Sequence, residues 1–220
     1  MADLARALDA AVDEHRLLDH PFYQAWSEGR LTKDDLVFYS TQYWRQVEAF
    51  PDYLEALAER LPEGDARRIV TENLSDERDG DHAGLWKTFA AALGVDSGAL
   101  ESSAPEPETR SCVESFRSGM GESAIAFAMG MLYGYESQTP AVATTKVRGL
   151  REHYGIEGRG LDYFELHAEL DVEHSRELAS ALAHYTNEHE GLEQAKSGAR
   201  AGAAAIWGLL DGVARVRAID

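Results

Sequence analysis

Between residues 163 and 174 the chain reads YFELHAELDVEH, with His167, Asp171 and His174 at intervals of four and three. Neither glycine nor proline interrupts the stretch, so it suits a helix. At about 100° per residue the three positions fall within an arc of roughly 60°. Their side chains therefore leave the helix along one stripe. Two imidazoles and one carboxylate converging on a point suit a transition metal such as iron or manganese. The same pattern also fits a solvated acidic helix face carrying two incidental histidines. One helix would in any case only half ligate a metal.

Other segments offer the missing ligands. A dinuclear site in a helical bundle draws about four carboxylates and two histidines from several helices. In MLYGYESQTP, Glu136 sits among Met131, Leu132, Tyr133 and Tyr135, just before Pro140. A carboxylate in such surroundings faces inward, which is costly unless it is paired or bound to a cation. A salt bridge to a core arginine would satisfy it equally well. The segment ENLSDERDGDHAGLW offers Glu72, Asp76, Glu77, Asp79, Asp81 and His82, most of which must be solvated. Glu77 and His82 are five apart, an awkward spacing on a regular helix. The glycine of RDGD lets the chain loop out, so both could turn toward a shared point. Taken alone, His82 reads as a cap or a surface residue. The assembled set is Glu77, His82, Glu136, His167, Asp171 and His174. Its mixed nitrogen and oxygen donors favour iron or manganese over structural zinc.

The elements that must position this set are helical almost throughout. Leu4, Leu8 and Val12 give a helical apolar repeat over residues 2 to 18. HPFYQAWSEG predicts a short helix with Pro21 in its first turn and Gly29 at its end. Thr32 is the expected N-cap of a long helix that carries Pro51, where a kink is expected. A further pattern starting at Asp65 is interrupted near Gly80 and ends at Gly94. DSGALESSAPEPET reads as a loop. Helices follow at about 107 to 118, then through a stretch bent at Pro140, then over 160 to 187 and 189 to 216. The small residues of ARAGAAAIWG permit close helix packing. With 220 residues, 44% of them hydrophobic, and no Pro/Gly/Ser-rich linker, the expectation is one all-α domain over 1–220. Its architecture should be a bundle of about seven helices.

Composition excludes several roles. A net charge of −18, from 39 acids against 21 bases, repels nucleic acid and anionic membranes. Only Lys33, Lys87, Lys146 and Lys196 are lysines. Abundant acid with scarce lysine suggests a salt-adapted source, and a stability that failed to rise with added salt would refute that. No apolar run is long enough for a membrane span, and the acids in the N-terminal stretch do not fit a signal peptide. The lone Cys112 leaves no disulfide framework and fits a reducing cytoplasm.

HPFYQAWSEGRLTKDDLVFYSTQYWRQVEAFPDYL, ENLSDERDGDHAGLWKTFAAALGV, LYGYESQTPAVATTKVRGLREHYGI and YFELHAELDVEH together resemble the CADD-like branch of the haem-oxygenase-like dimetal oxidases. The TenA and PqqC proteins and the UndA-type fatty-acid decarboxylases are more distant relatives. The resemblance implies a seven-helix haem-oxygenase-like bundle, often a homodimer. It implies a dinuclear Fe/Fe or Fe/Mn centre that activates O2, with Glu77, His82, Glu136, His167, Asp171 and His174 as ligands. It also implies synthesis of para-aminobenzoate for folate, with a self-derived substrate. Tyr23 would be consumed, Lys146 would donate the amino group, and Tyr135 and Tyr163 would lie beside the metals. Reducing equivalents would come from an external electron donor. The spacing between Glu77 and His82 is about two residues shorter than the family's, which puts their transfer in question. Trp44 stands where the family commonly has a second tyrosine after QY, a change expected to affect the pocket lining or the radical path.

Lys146 can attack an oxidised ring only as the neutral amine, which needs burial or a cationic neighbour such as Arg148. Without the resemblance, Lys146 would read as a surface lysine and Tyr23 as an aromatic staple. Three other readings compete. An external small acid, such as a fatty acid or amino acid, could be oxidised at the same metals. A metal-free TenA-like thiamine hydrolase would need a cysteine nucleophile, but Cys112 reads as a small buried hydrophobe. A non-enzymatic binding protein would have no use for six ligand candidates.

Overall fold

A computed structural model describes residues 2–220, and no strand occurs among them. The first helix, α1 (Ala2–Val12), stops short of residue 18, because two 3-10 turns, Asp13–His15 and Leu17–Asp19, carry the chain on. These turns lead into α2 (Pro21–Ser27), which carries Tyr23. Pro21 fills its first turn, where the missing N–H costs nothing. His20 caps it, with Nδ1 accepting from the Phe22 backbone N–H at 3.0 Å. Next comes α3 (Lys33–Arg60), which starts at a capping box in which Thr32 and Asp35 satisfy each other's backbone N–H. It runs as one helix through Pro51.

The Gly80 interruption separates α4 (Asp65–Asp79) from α5 (His82–Ala92). The left-handed residue in that turn is not Gly80 but Asp81, at φ 49° and ψ 46°. Asp81 then caps α5 by accepting from the Gly84 N–H at 3.1 Å. The stretch expected to be a loop contains α6 (Ser97–Ser102), whose N-cap Asp96 accepts from the Ala99 N–H at 2.8 Å. A polar cap here outweighs poor apolar periodicity. It is followed by α7 (Pro107–Glu122) and α8 (Ile125–Glu136). At Pro140 the chain breaks rather than bends: α8 ends at Glu136, and α9 (Thr139–His153) takes the proline into its first turn. The chain closes with α10 (Asp162–Leu182) and α11 (His189–Arg217). These breaks and the added α6 raise the expected number of about seven helices to eleven among the described residues.

α8 and α11 pack closely along their length. Gly130 and Gly134 face the carbonyls of Ala195 and Ala199, while Gly198 and Gly202 face those of Phe127 and Met131. A Cβ at any of the four would overlap a carbonyl oxygen of the opposite helix. Such close approach makes a firm wall from α8 and leaves Glu136 at its C-terminal end, buried to 2% exposure. Opposite it, α10 turns Tyr163, Phe164, His167, Asp171 and His174 inward. Between the two, α4 and α5 supply Glu77 and His82.

Candidate metal centre

The six ligand candidates divide into two groups. Glu77, His82 and His167, from α4, α5 and α10, each present a donor atom within 4.8 Å of the other two. The Glu77 Oε1 atom lies 2.9 Å from His82 Nδ1 and 3.7 Å from His167 Nε2. The two imidazoles meet edge to face with centroids 4.7 Å apart. The shortened spacing therefore brings Glu77 and His82 together, because the left-handed Asp81 reverses the chain within two residues. Gly80 matters for space, since a Cβ there would lie 2.8 Å from His82 Nε2. Glu136, Asp171 and His174 form the second group. Asp171 Oδ1 lies 3.5 Å from His174 Nδ1, and Glu136 feels the charges of both. Glu136 is held by Asn73 rather than by an arginine: Asn73 Nδ2 donates to Glu136 Oε1 at 2.6 Å.

The electrostatics are those of a buried acid–base cluster. Burial would raise the Glu77 pKa, but the imidazoles of His167 and His82 that face it override that and hold it down to about 2. Burial and the neighbouring Asp171 push Glu136 above the usual carboxylate range. Burial alone would lower the pKa of His174, yet Asp171 and Glu136 raise it to about 9. His167 is raised by Glu77 and Asp171 against the same burial penalty.

The donor set fits a pair of cations. His82 Nδ1, His174 Nδ1 and Glu136 Oε2 are buried polar atoms with no aligned hydrogen-bond partner. Left unpaired, each carries a desolvation cost of about 1–3 kcal/mol. His167 Nδ1 donates to the Tyr163 carbonyl oxygen at 2.7 Å, which leaves its Nε2 lone pair free to face Glu77. Two divalent ions would offset the three carboxylates with one positive charge to spare and displace the protons the cluster shares.

Beyond the ligands lies an aromatic chamber. The Tyr163 ring lies against His167, centroids 4.2 Å apart, and meets Trp86 at 4.9 Å. Trp86 stacks on Tyr43 at 5.2 Å, and Tyr43 meets Tyr39 at 5.4 Å. The Tyr135 hydroxyl accepts from Tyr43 at 3.2 Å. Lys146 from α9 is buried among these rings. Its Nζ lies 2.6 Å from the Tyr39 hydroxyl and 5.3 Å from the Tyr23 ring centroid. Burial lowers its pKa from 10.5 to about 7. Arg148, expected to help, points to solvent instead. The Tyr23 hydroxyl is buried without an aligned partner. A small cavity of about 10 Å³ lies between Lys146 and Tyr135, Tyr163 and His167, room for about one water-sized molecule.

Trp44 is absent from this chamber. It is buried to 3% exposure beneath Lys87 and makes no ring contact with the residues of the chamber. Tyr39, Tyr43, Trp86 and Asn73 were not singled out from the sequence, because aromatic and amide residues inside helices look like ordinary core. Cys112 is fully buried, and burial pushes its thiol pKa up, the reverse of what a nucleophile needs.

A family profile described as iron-containing redox enzyme matches residues 37–207. The 4-aminobenzoate synthase of Chlamydia muridarum is 41% identical over 173 residues, covering 77% of this chain and 73% of that protein. The 4-aminobenzoate synthase of Nitrosomonas europaea is 34% identical over 218 residues, covering 94% and 89%. Among solved structures, a CADD-like protein of unknown function from Nostoc punctiforme superposes with a TM-score of 0.79 at 18% identity, over 100% of both chains. The last likeness speaks for the fold alone.

Proposed function

Because the chain belongs to the haem-oxygenase-like family of iron-containing redox enzymes, we propose that it makes 4-aminobenzoate from its own Tyr23 and Lys146. The observation that carries this reading is the sealed contact between these two side chains. The Lys146 amine stands over the Tyr23 ring, and the adjoining cavity of about 10 Å³ is too small for a fatty acid or an amino acid. The identity with 4-aminobenzoate synthases over most of the chain supports the same product.

Each residue has a physical task in this reading. Glu77, His82, Glu136, His167, Asp171 and His174 hold two ions, either Fe/Fe or Fe/Mn. Bound there, the metals supply activation of O2 with electrons from an external donor. Tyr163, Trp86, Tyr43 and Tyr39 follow one another in ring contact from the ligands, and Phe22 bridges the Tyr39 and Tyr23 rings at 4.8 and 5.4 Å. A phenol is among the most easily oxidised side chains, so Tyr23 is a chemically reasonable target. Carbon–nitrogen bond formation needs an unprotonated amine. Burial provides one near neutral pH, and the Tyr39 hydroxyl holds Nζ in place. The aromatic shell leaves little room for water, which would otherwise compete for the oxidised ring.

The test is a single O2 exposure of the iron- and manganese-loaded protein, followed by mass spectrometry of the chain and of released aromatics. The expected result is mass loss at Tyr23 and Lys146 matching the 4-aminobenzoate released, at no more than about one product per chain. Tyr23→Phe should bind metal normally and release none. Repeated turnover by Tyr23→Phe would overturn the proposal in favour of an external substrate.

A further inference from the structure

α4 contributes more to the centre than Glu77. Asn73, Asp76 and Glu77 share one face of it, a turn apart, and that face packs on α10 and reaches the end of α8 through Asn73. Asn73 is buried to 4% exposure, and its Nδ2 donates to Glu136 Oε1 at 2.6 Å, leaving Oε2 free of any partner. The half-exposed Asp76 places Oδ2 3.1 Å from His174 Nε2. With Nε2–H held by that carboxylate, Nδ1, 3.5 Å from Asp171, is the nitrogen that would give up its proton to a metal. Imidazole ligands commonly have their far nitrogen fixed in this way by a carboxylate. Neither side chain makes a hydrogen bond or ion pair to the side chains of Glu77, His82 or His167.

We infer that Asn73 and Asp76 are positioning residues for one half of the centre, aiming Glu136 and His174 at the second metal while the Glu77–His82–His167 half assembles without them. This rests on the dinuclear reading above. The physical reason lies in the unequal geometry of the halves. Three donor atoms of the first already converge within 4.8 Å, with the His167 ring held by the Tyr163 carbonyl of its own helix. The second depends on a long glutamate and an imidazole whose rotamer and tautomer must be set from outside.

The test is Mn²⁺ binding by equilibrium dialysis and elemental analysis, with electron paramagnetic resonance to tell a coupled pair from an isolated ion. Wild-type protein should bind two ions per chain as a coupled pair. Asp76→Ala and Asn73→Ala should weaken the second ion about 10–100-fold, leaving one tightly held, isolated ion. Asp76→Asn, whose side-chain oxygen still accepts from Nε2–H, should restore most of the second site. Asp76 is half exposed, so Asp76→Ala remains folded and decides the matter even if Asn73→Ala does not fold. Two ions bound with unchanged affinity in Asp76→Ala would overturn the inference. So would equal loss of both ions from a folded variant, which would signify a general structural role. A wild-type chain that bound only one ion would instead refute the dinuclear reading itself.

Discussion

The buried amine gives a sharp prediction through Lys146→Met. Methionine keeps a comparable unbranched length and removes the ionisable group. In the folded protein the Lys146 pKa falls from 10.5 to about 7 through burial. At about 1.4 kcal/mol per pH unit, this corresponds to roughly 5 kcal/mol of stability lost at low pH. The faces of Tyr23, Tyr39, Tyr43 and Phe164 lie about 5 Å from Nζ. Their attraction for the ammonium acts against this loss, so Lys146→Met should gain at most about 5 kcal/mol at pH 7 and below. The sign follows from proton counts. Between pH 7 and 10.5 the unfolded wild type binds more protons at this site than the folded one, so wild-type stability rises with pH. The advantage of Lys146→Met should therefore shrink through that window and vanish above it. Urea unfolding of both proteins at several pH values from 6 to 10 measures the difference, and groups titrating alike in both cancel. Product formation by the wild type should rise through about pH 7 as the amine loses its proton. A stability difference that stays constant from pH 7 to 10 would refute a buried, neutralised Lys146.

Gly80→Ala should push His82 away from Glu77, because its Cβ would lie 2.8 Å from His82 Nε2 and 2.6 Å from the Asp76 carbonyl oxygen. A fall of about tenfold in affinity for the first Mn²⁺ is expected, and unchanged binding in a dialysis isotherm would refute the role given to that turn. Gly134→Ala would drive a methyl group into the Ala199 carbonyl oxygen and part α8 from α11. The gain in helix propensity, about 1 kcal/mol, is outweighed. A net loss of about 2 kcal/mol should lower the melting temperature by about 6 °C. A melting temperature equal to or above that of wild type would show that the two helices are not held by this contact.

The local sequence was enough for several conclusions. The spacing of His167, Asp171 and His174 places them on one helix face whatever the rest of the chain does, since helical periodicity is a backbone property. The apolar surroundings of Glu136 foretold its burial, and the small residues of α11 foretold a close helix partner. Thr32 and Pro21 marked helix starts because capping acts within one turn. What the sequence left open depends on where separate helices meet. Whether Glu136 faces an arginine or an asparagine was decided only when the packing of α4 on α10 brought Asn73 to the end of α8. Whether Glu77 and His82 could share a point depended on one left-handed residue, Asp81, whose conformation no local pattern specifies. The low pKa of Lys146 also came from packing: aromatic rings from α2, α3 and α10 exclude water around it, while Arg148, its neighbour in sequence, faces solvent. Burial and convergence are sums over distant segments, so the types of the reactive groups were legible in the chain and their meeting was not.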